Sequence, residues 1–516
     1  MKKHILVLAL LLIPAFGLML RRGIYTMHDF HVFRQQQFEK CLIQTKTFPC
    51  RWAPDAGLGY GEPVFNFYGQ FPYWIGEIFR LTSMSILDSV KANFILTILA
   101  SSIAMYFLAR KLWSNTGALV SALFYAYAPY RAVDVWVRGA LNESLAFVFF
   151  PLILLFIKEF IVSNKNIYLF WLILSLAGLT LTHNLSLLIF APFAIIWTLF
   201  WWWQNNRSIH KIYDLTSAGL ASVLLSAFYL LPVLFESSLV TLNQTTSGYY
   251  DFHLHYATLK QLFLSTFWGF GGSTWGPNDT MSFAVGQIHW IMAIVLVVLV
   301  LIKKGKRVIL FLISLGFFAT FLTHGKSDFI WNFIKPMAYI QFPWRFLTMS
   351  TLFLSLACGA VAKFMPKIIL SVLLCLLLLL NTGMFRPDIW RDITDEQQFS
   401  GKLWDEQRSS ALSDFWPKSA KLPNKFAPTK PEIILQTDLY QKIRYPIVYF
   451  PGWTARSNNQ ILSVFPSGDL GLVTVRAPIN SEIKLIFEDT AVRRIGNIVS
   501  LLTLALLVFW KIRYAR

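Results

Sequence analysis

The sequence predicts an α-helical polytopic membrane protein with about twelve transmembrane helices and a small C-terminal β-rich domain outside the cytoplasm. Of its 516 residues, 55% are hydrophobic and only 14% are charged, whereas a soluble protein carries about 25% charged residues. The apolar residues are grouped into runs that are long enough to cross a bilayer. Before the last of these runs lies a polar, proline-rich stretch that contains the alternating pattern of β-strands.

Twelve apolar runs account for the predicted transmembrane helices. The first begins with Lys2 and Lys3 and contains no good cleavage site, so we expect an uncleaved helix whose N-terminus is cytoplasmic. The runs lie near residues 1–20, 92–109, 118–133, 145–160, 168–181, 185–202, 215–235, 288–302, 308–322, 345–362, 368–384 and 495–510.

If successive runs cross the membrane in opposite directions, every predicted cytoplasmic connection contains basic residues, as the positive-inside rule requires. These residues lie within 110–111, 158–165, 207–211, 303–307, 363–367 and the C-terminal tail from 511. We therefore predict a multi-pass protein of the plasma membrane with both termini in the cytoplasm. Most of the uncommon polar residues fall on the opposite, outer side.

The formal net charge of +19 does not indicate a nucleic-acid partner. Residues 387–494 contain 14 Lys and Arg against 13 Asp and Glu, which leaves 32 against 14 for the rest of the chain. The basic excess therefore belongs to the membrane part, where it sets the topology, and no nucleic-acid fold motif accompanies it. The expected partner is the lipid bilayer.

The predicted domain organisation has three parts. Residues 1–386 form a transmembrane domain whose first outer loop covers 21–91. Residues 387–494 form an extracytoplasmic domain that is β-rich from about residue 442, because runs such as KIRYPIVYF and LGLVTVRAP suit strands. Residues 495–516 form the last transmembrane helix and a basic cytoplasmic tail.

The first outer loop carries the first group of candidate site residues. Asp29 and His31 are close enough in sequence to act as an acid/base pair or to share a divalent cation, and Arg34 is suited to holding a phosphate. Their position just after the first run would present them at the membrane face. A hydrogen-bonded structural loop is the alternative for these residues.

The stretch YRAVDVWVRGALNES, residues 130–144, carries the second group. If it is helical, Arg131 with Asp134 and Asp134 with Arg138 form neighbouring charge pairs, and Glu143 follows. Ionisable groups at membrane depth are expensive, so they indicate function by default. The alternative is that they are interfacial anchors paired with one another.

Further polar residues lie at the outer ends of later runs. They include His183, Lys260, His289 and Arg345, each of which alone is typical of a packing or interface residue. Because they share one side, they predict a cavity that is lined by cations and faces the first outer loop. Such a cavity suits a lipid phosphate or pyrophosphate.

Familiar soluble-enzyme motifs are absent from the sequence. There is no P-loop, GxSxG, HExxH or paired CxxC, so ATP-driven transport, serine hydrolysis and structural zinc have no support. Cys41 and Cys50 flank a short turn in the first outer loop. They form a disulfide if the loop is outside, or remain two free thiols.

Several segments together carry a family resemblance. HDFHVFRQQQF, FPCRWAPDAGLGYGEPVFNFYGQFPYW, YRAVDVWVRGALNESLAF, TLTHNLSLL, MSFAVGQIHW and QFPWRFL resemble the bacterial membrane proteins catalogued as 6-pyruvoyl-tetrahydropterin synthase-related. The resemblance covers about residues 25–360. YFPGWTAR and GLVTVRAP resemble a C-terminal module of large membrane proteins linked to glycosylation.

This family is similar in architecture to GT-C glycosyltransferases, which take sugars from polyprenyl-phosphate donors at the outer face of the membrane. The resemblance implies a GT-C-like fold, with Asp29 as base or metal ligand and Asp134 at a second acidic site. Position 31 is His, so a clear DxD is missing. A requirement for a divalent cation, Mg²⁺ or Mn²⁺, is left open.

The resulting hypothesis is an inverting transfer of a sugar from a polyprenyl-phosphate donor to an acceptor. Asp29 would deprotonate or orient the acceptor, His31 would support it, and Arg34, Arg138 and Arg345 would hold the phosphate leaving group. The rival interpretation is a non-enzymatic flippase or assembly partner for an envelope polymer. The residues expected to bind substrate are Arg34, Glu62, Tyr68, Arg131, Arg138, Glu143, His183 and Arg345.

Overall fold

The computed structural model describes residues 2–45, 47–241, 246–274, 279–303, 307–410 and 415–514. In this part of the chain α-helices dominate, and a six-stranded sheet lies near the C-terminus. The architecture therefore confirms a mostly helical protein with a C-terminal β-sheet region. The predicted basic residues at 304–306 and 515–516 lie outside the described residues.

The helices of the described residues follow the apolar runs, and serine side chains cap two of them. Ser85 Oγ accepts a hydrogen bond from the backbone of Asp88, and Ser114 Oγ accepts one from Gly117, so each occupies a free N–H group of a first helical turn. The helices are α1 (Lys2–Phe16), α2 (Asp29–Lys40), α3 (Val64–Phe67), α4 (Phe71–Arg80), α5 (Ile86–Arg110), α6 (Asn115–Ala126), α7 (Pro129–Ala132), α8 (Leu141–Ser163), α9 (Ile167–Thr182), α10 (Asn184–Gln204), α11 (Ile209–Leu225), α12 (Ala227–Glu236), α13 (Gln287–Lys303), α14 (Arg307–Phe321), α15 (Asp328–Phe333), α16 (Leu347–Cys358), α17 (Lys367–Asn381), α18 (Asp395–Gln398), α19 (Gly401–Ser410) and α20 (Ala491–Tyr514).

Seven helical segments among the described residues are long and apolar enough to cross a membrane. Two further spans are obtained if α11 with α12, bent by 72°, and α14 with α15, bent by 95°, each form one broken span. Helices α9 and α13 are apolar but shorter. The expected number of about twelve is therefore not confirmed. The seven segments are Lys2–Leu20, Ile86–Arg110, Leu141–Ser163, Asn184–Gln204, Pro343–Lys363, Lys367–Met384 and Ala491–Arg513.

The predicted run 118–133 differs most from a continuous span. Its helix α6 ends at Ala126, the single turn α7 follows, and a π-helical turn covers Val133–Val137. The break lies where the buried side chains of Arg131 and Asp134 enter apolar surroundings. Irregular backbone within a membrane protein is tolerated where other protein groups bury it.

Helix α16 lies at the centre of the helical bundle, and α20 lies at its edge. In the spans that contain them, 89% and 17% of the apolar window are buried, respectively. Close packing beside α16 depends on small residues, because a Cβ on Gly117 of α6 would lie 2.5 Å from the carbonyl oxygen of Gly359. Such contacts between backbones are typical of helices that associate in membranes.

The C-terminal sheet is antiparallel, and its strand order is not sequential. The sequence predicted β-rich structure from about residue 442, but the first strand of the sheet begins earlier, at Glu432. A separate two-stranded sheet pairs β1 (Ile24–Tyr25) with β2 (Trp390–Arg391), so the two ends of the helical part are joined by backbone. The six strands are β3 (Glu432–Gln436), β4 (Tyr440–Val448), β5 (Trp453–Ser457), β6 (Gln460–Ser467), β7 (Leu472–Pro478) and β8 (Lys484–Phe487), in the order β3-β4-β7-β6-β5-β8.

The sheet packs against the first loop, which we define as residues 21–91. The Trp52 ring lies 5.3 Å from the Trp453 ring and 5.1 Å from the Phe487 ring, measured between centroids. Within the same loop Cys41 and Cys50 form a disulfide, which decides between the two alternatives that the sequence left open. The first loop and the sheet therefore share one apolar core.

A buried ion pair joins this loop to the last helix. Glu236, at the end of α12, accepts hydrogen bonds from Asn66 Nδ2 of α3 at 2.7 Å and from Thr490 Oγ1 at 2.6 Å. Its Oε2 also lies 2.9 Å from Arg493 Nη2 in α20. Both charged side chains are almost fully buried, so each depends on the other for compensation.

We predict that Glu236→Gln lowers the free energy of unfolding by about 3–5 kcal/mol, because it leaves the Arg493 guanidinium buried without a counter-charge. Thermal unfolding of the purified protein in detergent measures the change. The control is Asp469→Asn, which removes an exposed ion pair with Lys421 and should leave the midpoint unchanged. Equal midpoints for Glu236→Gln and the unmodified protein would contradict the role of this ion pair.

Candidate functional site

A cavity of about 280 Å³ lies where α2, the start of α8 and the junction of α9 with α10 meet. We call it the arginine cavity, because three arginines from distant parts of the chain line it. Six of the residues expected to bind substrate are brought together here. The lining residues used below are Phe30, Arg34, Tyr68, Arg138, Asn142, Glu143, His183, Tyr250, Phe342 and Arg345.

Arg34 lies between two aromatic rings. Its guanidinium carbon is 3.6 Å from the centroid of the Phe30 ring and 3.6 Å from that of the Tyr68 ring. Phe30 precedes Arg34 by one turn of α2, so the helix itself sets this contact. The side chain is only 6% exposed, and its Nη1 has no hydrogen-bond partner among the described residues. It is therefore a rigidly held cation with a free donor.

Arg138 lies between two buried carboxylates. Its Nη1 is 3.2 Å from Asp134 Oδ1 and 2.7 Å from Glu143 Oε2. The hydroxyl of Tyr130 donates to Glu143 Oε1 at 2.7 Å. Burial first, and the neighbouring Glu143 carboxylate second, raise the pKa of Asp134 above its ordinary value. The charge of Arg138 is therefore largely compensated by protein groups.

Arg345 completes the set of cations. Its Nη1 donates to the carbonyl oxygen of Ile340 at 2.7 Å and to Gln341 Oε1 at 3.1 Å. Its Nε lies 3.8 Å from Glu143 Oε2. Three guanidinium groups line the cavity, whereas Glu143 is the one carboxylate among its described lining residues. The lining therefore has an excess of positive charge, which favours an anionic ligand.

His183 and Asn142 supply uncharged polar groups. Burial lowers the pKa of His183 to about 4, so the ring is neutral at physiological pH. Its Nδ1 lies 2.7 Å from Ser186 Oγ. Asn142 Nδ2 donates to the carbonyl oxygens of Gly69 and Thr182, at 3.0 and 2.7 Å. Asn142 thereby holds the first loop against the end of α9.

Asp29 and His31 lie outside the cavity wall among the described residues. Asp29 Oδ2 forms an ion pair with Arg391, because β2 returns beside β1 and brings Arg391 to the start of α2. His31 is buried between Tyr73 and α8, with its Nδ1 3.0 Å from the Tyr73 hydroxyl and its Nε2 accepting from the Leu141 backbone at 3.2 Å. The expected contact of Asp29 and His31 with the cavity is therefore not observed.

Arg131 and Glu62 also lie away from the cavity lining. Arg131 is buried with its guanidinium 4.1 Å from the Phe147 ring, and it donates to the carbonyl oxygen of Ser144 at 3.3 Å. Glu62 is buried in the first loop, where its backbone pairs with Ala53. Both side chains are therefore surrounded by protein, and they do not line the space in which the other predicted residues meet.

A divalent cation, which the sequence leaves open, has no fitting ligand set among the described residues. No group of three His, Cys, Asp or Glu side chains in that part of the chain is arranged to hold a metal ion. The carboxylates of Asp134 and Glu143 share Arg138 instead. The guanidinium lies where a shared cation would be expected, so we derive no step through a metal.

Sequence reasoning missed several residues of the cavity. Phe30 had a usable signal, because an aromatic residue one turn before an arginine on a helix places the two side chains together. Phe342 precedes Arg345 by three residues and lies in the quoted segment QFPWRFL. Tyr250 comes from a loop between distant helices, and no local sequence pattern predicts that it lines the cavity.

Comparisons with known proteins identify a family. The sequence profile described as 6-pyruvoyl-tetrahydropterin synthase related domain, membrane protein, matches residues 65–387. No curated protein matches the chain. Among the solved structures that resemble it are two of the arabinofuranosyltransferase AftD from mycobacteria. One has 15% identity and a TM-score of 0.47 over 77% of this chain and 28% of that chain.

The second, a mutant of AftD, has 14% identity and a TM-score of 0.43 over 76% of this chain and 29% of that chain. The chain therefore spans less than a third of the length of either structure.

We predict that the buried rings of His28 and His31 destabilise the protein in acid. Burial lowers the pKa of His28 to about 4, and it lowers that of His31 well below its ordinary value. Below about pH 6.5 the unfolded chain takes up protons that the folded chain does not, so the free energy of unfolding falls as the pH falls. The expected loss at pH 5 from His28 is about 2 kcal/mol, and His31 adds to it in the same direction.

Unfolding midpoints at pH 7 and pH 5 test this dependence. The His31→Gln variant should lose less stability between the two values than the unmodified protein does. Replacing the exposed His210 by Gln is the control and should leave the difference unchanged. If His31→Gln shows the same loss as the control, the buried ring is not the cause of the acid sensitivity.

Proposed function

The chain belongs to the 6-pyruvoyl-tetrahydropterin synthase related family of membrane proteins, and we propose that it is a membrane glycosyltransferase. It would move a sugar from a polyprenyl-phosphate donor to an acceptor at the outer face of the plasma membrane. The arginine cavity is the observation that carries this proposal. It combines fixed cations, a buried carboxylate and aromatic walls in one small space.

The charge balance of the cavity supports a phosphate group as its ligand. Arg138 and Arg345 already contact Glu143, whereas no carboxylate lies within ion-pair distance of Arg34 among the described residues. Guanidinium groups bind phosphate oxygens with charge-assisted hydrogen bonds. The free Nη1 of Arg34 is therefore the proposed first contact of the phosphate, with Arg138 and Arg345 behind it.

The aromatic walls support a sugar beside the phosphate. Phe30, Tyr68 and Phe342 line the cavity together with the neutral ring of His183. Ligand sites commonly combine apolar walls with a few polar groups that fix orientation. A volume of about 280 Å³ suits a single sugar ring with its phosphate, while the lipid chain extends into the bilayer.

The reaction would require a base for the acceptor hydroxyl, and Asp29 is the proposed base. Burial raises its pKa, although Arg391 opposes the shift, and a raised pKa makes a carboxylate a better proton acceptor. Asp29 lies outside the cavity wall beside Arg391, so this step requires the acceptor to approach from the side of Arg391.

In an inverting transfer, one bond to the anomeric carbon forms while another breaks. The acceptor oxygen loses its proton to Asp29 and forms a bond to the anomeric carbon of the donor sugar. The bond between that carbon and the phosphate oxygen breaks, and its electron pair stays on the phosphate. Arg34, Arg138 and Arg345 would stabilise the additional negative charge, which is greatest when the bond breaks.

The alternative is a flippase or an assembly partner for an envelope polymer, which needs the cations but no base. Purified protein incubated with a labelled polyprenyl-phospho-sugar distinguishes the two. Release of the lipid phosphate together with a glycosylated acceptor supports transfer. Movement of the intact lipid across a vesicle membrane without release supports the flippase and contradicts the transferase.

We predict that Arg34→Met weakens donor binding by about 10- to 150-fold, which corresponds to the ~1.5–3 kcal/mol of a hydrogen bond to a charged group. Methionine keeps an unbranched side chain between the two rings but removes the donors. Titration with the polyprenyl-phospho-sugar measures the dissociation constant. Arg476→Met, in the C-terminal sheet, is the control and should bind as the unmodified protein does; equal affinity of both variants would remove Arg34 from the site.

We predict that Asp29→Asn abolishes transfer while donor binding is retained, because the amide cannot accept the proton of the acceptor. Turnover of the labelled donor and its dissociation constant are measured on the same preparation. Asp392→Asn is the control, since this carboxylate lies beside Arg391 in sequence and is exposed. Full turnover by Asp29→Asn would show that another group is the base.

A further inference from the structure

A second and larger cavity, of about 660 Å³, lies on the other side of the first loop from the arginine cavity. We call it the apolar cavity, because aromatic and aliphatic side chains provide nearly all of its surface. Its walls come from α4, α8, α9 and α20, and α8 and α20 belong to membrane spans. The lining residues that matter here are Trp74, Phe149, Ser175, Leu181, Asn497 and Leu501.

A crossing of two backbone segments separates the two cavities. At the crossing, Gly69 of the first loop touches Thr182 at the end of α9, where a Cβ on Gly69 would collide with the Thr182 carbonyl oxygen. Asn142 closes the crossing with hydrogen bonds to both backbones. Tyr68 and His183 on one side of the crossing line the arginine cavity, and Phe71 and Leu181 on the other side line the apolar cavity.

A polar group lies at one end of the apolar cavity. Asn497 lines the cavity, and its Oδ1 accepts a hydrogen bond from Arg51 Nη2 at 3.1 Å. Asn497 Nδ2 donates to Asp489 Oδ2 at 2.7 Å, and Arg51 Nε lies 3.7 Å from the same carboxylate. These contacts fix the positions of the Arg51 guanidinium and the Asn497 amide.

The Arg51 guanidinium has unused donor capacity. The side chain is only 1% exposed, and Nη1 has no hydrogen-bond partner among the described residues. Burial lowers the pKa of Arg51 to about 10, so the group remains a cation at neutral pH. An unpaired buried donor of this kind costs free energy unless a ligand oxygen reaches it.

We propose that the apolar cavity binds one acyl chain of a membrane glycerophospholipid, and that the polar end of this lipid lies against Asn497, which Arg51 and Asp489 hold in position. The cavity is apolar, so water does not fill it favourably. The helices that form it cross the bilayer, so acyl chains are the hydrocarbon in contact with it. The site is independent of the proposed donor site and would exist even if the transferase proposal failed.

The lipid would also have a structural consequence. Its chain lies between α9 and α20, and its polar end lies beside Asp489 and Asn497 at the start of α20. It would therefore fill the space between α9 and α20, since α20 packs mainly against α12 and touches α9 little. We expect the bound lipid to stabilise the position of α20 and of the sheet that precedes it.

Photolabelling tests the site in the full-length protein. The protein is reconstituted in nanodiscs of phosphatidylcholine that contain phosphatidylglycerol with a diazirine on its acyl chain, and labelled peptides are identified by mass spectrometry. We expect labelling within residues 171–181 of α9. An excess of unlabelled phosphatidylglycerol should remove the label, whereas an excess of polyprenyl phosphate should not.

Two neighbouring substitutions on α20 provide a matched pair. Leu501 and Leu502 are 65% and 59% exposed, so either position accommodates tryptophan, but only Leu501 lines the apolar cavity. Leu501→Trp should reduce labelling of α9 about tenfold, or ~1.4 kcal/mol. Leu502→Trp should label as the unmodified protein does.

The polar end of the lipid is tested with Arg51→Gln, which should also reduce labelling, while thermal unfolding reports whether the variant is folded. Equal labelling of the two tryptophan variants would overturn the proposal. Competition by polyprenyl phosphate would overturn it as well, because the cavity would then belong to the donor. Transfer activity is not used as a readout, so failure of the transferase proposal leaves this test intact.

Discussion

The interior of the helical bundle contains ionised groups, and each of them needs a partner. Arg138 satisfies this constraint most completely, since it lies between the carboxylates of Asp134 and Glu143. Leaving either carboxylate alone in apolar surroundings would cost several kcal/mol. The irregular backbone between α6 and α8 carries this pairing, since the π-helical turn Val133–Val137 contains Asp134 and directly precedes Arg138.

A second buried ion pair, between Glu236 and Arg493, holds the part of the first loop around Asn66. Glu236 holds Asn66 and Arg493 together, so α3, α12 and α20 meet at one buried ion pair. The sheet then packs on Trp52 through Trp453 and covers the loop. Consequently the side chains that the loop contributes to the arginine cavity are held from both sides before any ligand arrives.

Much of the architecture was predictable because it has local signals. The apolar runs predicted the helices, and alternating apolar and polar residues predicted the strands. The four-residue spacing of Asp134 and Arg138 predicted their ion pair. Asp29 shows where such reasoning ends, since its partner Arg391 is brought to it by the β1–β2 pairing. A contact between residues so far apart leaves no periodic pattern. The count of about twelve spans is not confirmed for a related reason, because bends and short helices depend on packing.

The two cavities share one wall, and this couples them. Gly69 and Thr182 touch through backbone atoms, which cannot change rotamer, and Asn142 fixes their separation by two hydrogen bonds. Any movement of α9 that widens the apolar cavity must therefore move Thr182, Asn142 or both, and Asn142 directly precedes Glu143 in the arginine cavity. A chain that fills the proposed lipid site would pack against α9 and would therefore restrain Thr182, Asn142 and the backbone next to Glu143.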